Sequence, residues 1–249
     1  MWVDPRDILK SQKNIPLNER IIFALDVDSI DEAALWLDRL GDQIGFYKVG
    51  LQLFLVGGFS MIDLIRERGH KVMVDLKFFD IPETVGFAVR EMKGKGATFI
   101  TVHGNDPIIR AAVRERDESK ILAVTVLTSF DESDMKEMGF TGTVEDLVYL
   151  RAKKALLLGC DGVISSGLEA GRLRSDLGDR FLIVTPGIRP GLNDDVCGSD
   201  DQKRMASAYA AIAAGADHIV VGRPIRNAKD PMAVVREMQY EIAAALQSN

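Results

Sequence analysis

Eight short apolar runs recur along the chain, each followed by a stretch of helical period. They cover residues 21–26, 46–50, 71–77, 98–103, 121–126, 162–165, 181–185 and 218–222. Most are continuous rather than alternating, the pattern of parallel strands buried on both faces. Between them, Ser29 with Glu32 reads as a capping box, and Pro82 and Pro107 suit first helical turns, with Asp106 as the cap of the second. Thr143 opens another helix in the same way. Gly41, Gly69, Gly96, Gly159 and Gly215 fall where helices should stop. The last helix is expected from Pro231 to Leu246. Eight βα units in 249 residues predict an α/β fold, a (β/α)8 barrel with a parallel eight-stranded core, in one domain spanning 1–249. A doubly wound sheet would want a glycine-rich turn after its first strand, whereas Val27-Asp28-Ser29-Ile30 contains no glycine. Residues 20–249 form the expected barrel. Residues 1–19 are read as an N-terminal extension, with a short helix expected at 7–11, that is expected to cover the barrel bottom or lie along the barrel.

Composition excludes several classes. A formal charge of -6, with no long basic stripe, argues against a nucleic-acid or anionic-membrane binder. A local phosphate site stays compatible with it. No apolar stretch is long enough to span a membrane. The opening Met1-Trp2-Val3-Asp4-Pro5-Arg6 has no apolar signal core, so a cytoplasmic protein is expected. Cys160 and Cys197 form no metal spacing and read as a buried small residue and a loop thiol.

The densest chemistry lies in Asp75-Leu76-Lys77-Phe78-Phe79-Asp80-Ile81-Pro82-Glu83-Thr84. In a strand, Asp75 and Lys77 leave the same face, and Asp80 follows after the strand has ended. An ammonium among carboxylates is favoured in its charged form. Such a lysine donates a proton or stabilises an anion, and does not act as an amine nucleophile. Barrel active sites gather at the C-terminal strand ends. Those ends carry Asp26, Lys48, Asp75 and Lys77, then His103, the 125–129 segment, Thr185-Pro186-Gly187-Ile188-Arg189 and Gly222-Arg223. Each admits a plain structural role: a helix cap for Asp26, a strand-edge cation for Lys48, a satisfied core histidine for His103. The plain role is preferred for His103. It is not preferred for the charged set, which is costly to bury without a purpose. Gly187 and Gly222 permit close backbone approach, and Arg189 and Arg223 suit phosphate oxygens. The alternative is turn glycines with solvated arginines. The long segment 186–199 is a candidate lid. Its acidic residues Asp194, Asp195, Asp200 and Asp201 suit an outer edge, leaving Gln202 to reach inward.

These motifs resemble the orotidine 5'-phosphate decarboxylase family, from Phe23-Ala24-Leu25-Asp26 to Val221-Gly222-Arg223-Pro224. Tyr47-Lys48-Val49-Gly50, Leu127-Thr128-Ser129 and Thr185-Pro186-Gly187-Ile188-Arg189-Pro190 support the decapeptide. The resemblance implies decarboxylation of orotidine 5'-monophosphate to uridine 5'-monophosphate and CO2 in pyrimidine biosynthesis, with no cofactor and no metal. It implies Lys77 as proton donor to pyrimidine C6, Asp75 beside the departing carboxylate, and Lys48 on Asp75 and the ribose hydroxyls. Asp26 would bind ribose, Thr128 would lie near the pyrimidine, and Arg189, Gln202, Gly222 and Arg223 would hold phosphate. Asp80 and Thr84 would reach a partner's site, which implies a homodimer. Phe79 stands where some relatives carry histidine, and the 191–201 segment departs in composition. One rival is a magnesium-dependent phosphosugar decarboxylase or synthase of the same superfamily, its aspartates holding metal. Another is a non-catalytic nucleotide sensor, which would not need a proton donor among carboxylates.

Overall fold

A computed structural model describes residues 14–189 and 204–248. The eight expected strands are present: β1 (Ile21–Ala24), β2 (Phe46–Gly50), β3 (Lys71–Phe78), β4 (Phe99–His103), β5 (Lys120–Val124), β6 (Gly162–Ile164), β7 (Leu182–Thr185) and β8 (His218–Val221). They close in sequence order into one barrel, β8 pairing with β1, and every pairing is parallel. The continuous apolar runs follow from this closure. Alternate residues turn outward to the helices, as Ile21 and Phe23 do, or inward, as Ile22 does.

Most helix boundaries obey the capping logic. The Ser29 hydroxyl accepts the Glu32 N–H, and Thr143 does the same for Asp146. Pro82 opens the helix Pro82–Glu91. The helix Asp106–Glu115 begins one residue earlier than expected: Asn105 occupies the cap position, and Asp106 is the first helical residue, where its carboxylate still meets the positive end of the helix. A complete reciprocal capping box joins Asp131 and Asp134. The final helix runs Pro231–Gln247. The expected helix at 7–11 lies outside the described residues.

The barrel bottom is sealed from the N-terminal side. The short helix Leu17–Arg20 precedes β1, and Ile15 packs against the interior cluster of Phe46, Phe99 and Leu182. Arg20 donates to the Asp217 carbonyl at 3.2 Å, and Arg174 meets the Asp217 carboxylate at 2.7 Å. Cys160 is buried, which pushes its thiol up to about 12, as expected of an inert packing residue. His218 is enclosed by the rings of Phe46 and Phe99 at 5.6 and 5.3 Å. Its Nδ1 lies 2.9 Å from the Glu19 carbonyl. A carbonyl only accepts, so Nδ1 carries a proton. Burial lowers the His218 pKa from 6.5 to about 3.

His218 therefore costs stability in acid. Above pH 6.5 the unfolded and folded states bind the same number of protons at this site. Below it the unfolded state alone takes one up, and stability drains as the pH falls toward about 3. Thermal melts of wild type and His218→Gln across pH 7 to 4 should show the steeper decline in wild type.

Candidate active site

The top of the barrel differs from the bottom because the inward positions change character along three neighbouring strands. In β2 Phe46 gives way to Lys48, in β3 Met73 to Asp75 and Lys77, and in β4 Phe99 to Thr101. Lys48 and Asp75 are both buried, at 8% exposure each. Burial at that level demands pairing. Lys48 Nζ lies 2.9 Å from Asp26 Oδ1 and 3.7 Å from Asp75 Oδ2, and Lys77 Nζ lies 2.9 Å from Asp75 Oδ2. The charges alternate and cancel. Burial disfavours the charged form of Lys48, but Asp75 and Asp26 outweigh it and raise its pKa. Burial likewise opposes the Asp75 carboxylate, and the Lys48 and Lys77 ammonium groups, with hydrogen bonds from Lys77 and Thr101, hold it below the usual range.

Two further residues, not singled out from sequence, make this cluster possible. A Cβ on Gly50 would sit 3.0 Å from Lys48 Nζ and 3.3 Å from Asp26 Oδ1, so the pair requires glycine for space rather than for backbone freedom. Thr101, fully buried in β4, donates to Asp75 Oδ1 at 2.9 Å and accepts from the Lys77 N–H at 2.9 Å. The inward alternation Phe99-Ile100-Thr101 was the available signal, but threonine in a strand reads first as a β-former. Lys77 has φ 46°, the one non-glycine residue in the left-handed region among the described residues.

Asp26, Lys48, Asp75 and Lys77 line a cavity of about 300 Å³ with Thr128, Ser129, Gly187, Arg189, Gly222 and Arg223. Thr128 lies beyond the end of β5, in a segment whose carbonyls are gripped by two arginines. Arg151 donates to the Thr125 carbonyl at 2.6 Å, and Arg204 donates to those of Val126 and Leu127 at 3.3 and 3.0 Å. Arg204 is itself paired with the buried Glu169 at 2.5 Å. Gly187 has φ 77°, a conformation that favours glycine, and a Cβ on Gly222 would press on the Ala24 side chain at 3.3 Å. Asp26 stands two residues past the end of β1, and its carbonyl accepts from Arg226. Asp80 and Thr84 are exposed and do not line this cavity; Asp80 Oδ1 accepts the Ile81 N–H at 2.6 Å. His103 is only partly buried, bonded through Nδ1 to Asn105 at 2.8 Å and stacked against Phe79 at 4.4 Å, a satisfied residue at the rim rather than in the core. Gln202, Cys197 and the acidic residues of 194–201 lie outside the described residues.

A family model described as orotidine 5'-phosphate decarboxylase / HUMPS family matches residues 19–238. The chain belongs to that family. Among curated proteins it is 49% identical over 233 residues to an orotidine 5'-phosphate decarboxylase of Methylococcus capsulatus, covering 93% of this chain and 95% of the relative. It is 47% identical over 229 residues to the one of Rhodopseudomonas palustris, covering 91% and 96%. A solved orotidine 5'-phosphate decarboxylase from Lactobacillus acidophilus superposes with a TM-score of 0.77 at 35% identity, covering 90% of this chain and 99% of that one. The family match spans all eight strands, so the charged cluster, the Thr128 segment and the two arginines belong to one matched unit.

Removing the Lys48 ammonium should leave the buried Asp75 carboxylate with Lys77 alone as its cation, while Asp26 is half exposed to solvent. Lys48→Met is expected to lose on the order of 1–3 kcal/mol at pH 7, since the buried Asp75 carboxylate loses one of its two cationic partners. The deficit should narrow as acid protonates Asp75, and denaturant melts at pH 7 and pH 4 would measure it.

Proposed function

We propose that the protein decarboxylates orotidine 5'-monophosphate to uridine 5'-monophosphate and CO2, as a cytoplasmic step of pyrimidine nucleotide synthesis, and that Lys77 supplies the proton to C6. The observation that carries the chemistry is the Lys77 ammonium 2.9 Å from Asp75 at the wall of the cavity. Breaking the C6–carboxylate bond leaves its electron pair in an sp² orbital at C6, outside the ring π-system, where it is not delocalised as an enolate is. A fixed cation beside that carbon stabilises the developing charge electrostatically. The same group then forms the C6–H bond by giving up its Nζ proton, which solvent replaces. CO2 departs without oxidation or reduction. Asp75 disfavours the substrate carboxylate by like-charge proximity, and binding energy from the distant phosphate offsets that cost.

The remaining roles are those that the family resemblance implies, and the lining of the cavity by Asp26, Lys48, Thr128, Arg189, Gly222 and Arg223 supports them. Asp26 and Lys48 face the ribose, and Thr128 lies near the pyrimidine. Arg189, Gly222 and Arg223 hold the phosphate, and Gln202 joins them in the same role. A magnesium-dependent reading of the aspartates is less suited to this donor set, because Lys48 and Lys77 already neutralise Asp26 and Asp75. Loss of orotidylate absorbance on adding pure protein in excess chelator distinguishes the two. Lys77→Ala should lower turnover at least about 10³-fold while leaving a folded protein. Retention of a substantial fraction of wild-type turnover would sink the assignment.

Asp80 and Thr84 act across a homodimer in this reading. They stand outside their own cavity on an exposed stretch that includes Phe79 and Ile81, at 65% and 66% exposure. The single barrel domain would then be incomplete without a second copy. Mixing the inactive variants Lys77→Ala and Asp80→Ala should restore activity, because each mixed dimer assembles one site with Lys77 from one protomer and Asp80 from its partner. Random exchange sets the ceiling at about one quarter of the wild-type rate. No recovery on mixing, with dimers confirmed by mass, would place Asp80 in its own chain's site.

A further inference from the structure

We propose that Thr101 is the positioning residue of the reaction, holding the Asp75 carboxylate and the Lys77 backbone in working register through one hydroxyl. The proposal rests on the reading of Asp75 and Lys77 given above. Its origin is a register irregularity. Val74 pairs with Ile100 and Phe78 with Val102, so Asp75, Leu76 and Lys77 on β3 face Thr101 alone on β4. Three residues against one leave backbone groups with no opposite number in the ladder. The Thr101 hydroxyl takes the place of a ladder acceptor for the Lys77 N–H and turns its own proton onto Asp75 Oδ1, both at 2.9 Å. A hydroxyl has one proton and two lone pairs, so it can serve both partners at once. Thr101 is fully buried, and no water competes for either bond.

The geometry explains how Lys77 keeps a left-handed backbone that strains a side-chain-bearing residue. The strain persists where the surroundings over-determine it, and Thr101 is the β4 contribution. Asp75 is faced by Lys48 from β2 and Lys77 from β3, with Asp26 reaching it through Lys48. Both lysines reach the carboxylate on long, unbranched stems. Thr101 is a neutral group on a stiff, β-branched stem, and it fixes the carboxylate oxygen that the lysines do not bond. Thr101 itself touches no reacting atom in this scheme.

The test compares Thr101→Val, which keeps shape and loses both bonds, with Thr101→Ser, which keeps the hydroxyl. Each is assayed for kcat and KM with orotidylate and for the pH profile of kcat, beside thermal melts. In Thr101→Val, kcat should fall on the order of 10- to 100-fold, the span of a lost hydrogen bond to a charged group. KM should stay within roughly threefold, since the phosphate and ribose contacts are untouched. The acidic limb of the profile should move to higher pH, because Asp75 loses a bond that favours its charged form. Thr101→Ser should restore both the rate and the limb. Should Thr101→Val not fold, Thr101→Ala supplies the hydroxyl-free comparison by the same criteria. An unmoved acidic limb in the hydroxyl-free variant overturns the proposal, as does a Thr101→Ser protein as impaired as Thr101→Val. Lys77→Ala, assayed in parallel, separates the readings: its retained activity would overturn the catalytic assignment, whereas its loss beside an unaffected Thr101→Val would overturn this one alone.

Discussion

Lys48 lies between two carboxylates, 2.9 Å from Asp26 and 3.7 Å from Asp75, with almost no access to solvent. An ammonium in that position is stable only while its anions stay with it, and the buried Asp75 depends in turn on it and on Lys77. The upper half of the barrel is arranged around this mutual dependence. Gly50 lacks a side chain so that the pair has room, and Lys77 closes the charge balance from β3. The result is an array of fixed charges whose orientation is set before a substrate arrives, which is the condition for electrostatic stabilisation without reorganisation.

The two ends of the barrel solve opposite problems with the same alternation of side chains. At the bottom, inward positions are rings and aliphatics, and burial keeps His218 neutral while the Glu19 carbonyl accepts its Nδ1 proton. At the top, inward positions on β2, β3 and β4 are charged or hydroxylic. The apolar half supplies the burial that keeps the scaffold rigid, and the polar half draws on that rigidity. The arginine grip on the carbonyls of residues 125–127 extends the scaffold past the strand ends, so that Thr128 is placed by structure rather than by a free loop.

Much of this architecture was legible from the chain. Strand positions agree within a residue or two, because continuous apolar runs have few other uses in a chain of this size. Asp75 and Lys77 share a face as strand period requires, and the structure joins them at 2.9 Å. Less legible was the reason they meet so closely. The irregular pairing of β3 with β4 involves partners 24 and 26 residues apart, and no local pattern announces it. The shift from Asp106 to Asn105 at one cap is a smaller case, where two adjacent residues both suit the position. Asp80 lies in the same decapeptide as Lys77, yet it stands outside the cavity that Lys77 lines, because the strand ends between them.

The sequence by itself determined the strand-and-helix alternation, the barrel class, and the identity of the charged residues at the strand ends. These are properties of residue type and local period, and local physics suffices for them. Only the tertiary structure decided how the charges pair, that Lys48 rather than Lys77 sits between the carboxylates, and that Thr101 and Gly50 belong to the site. Each of those facts depends on distances between strands that meet only when the barrel closes, and a chain read in one dimension carries no such distances.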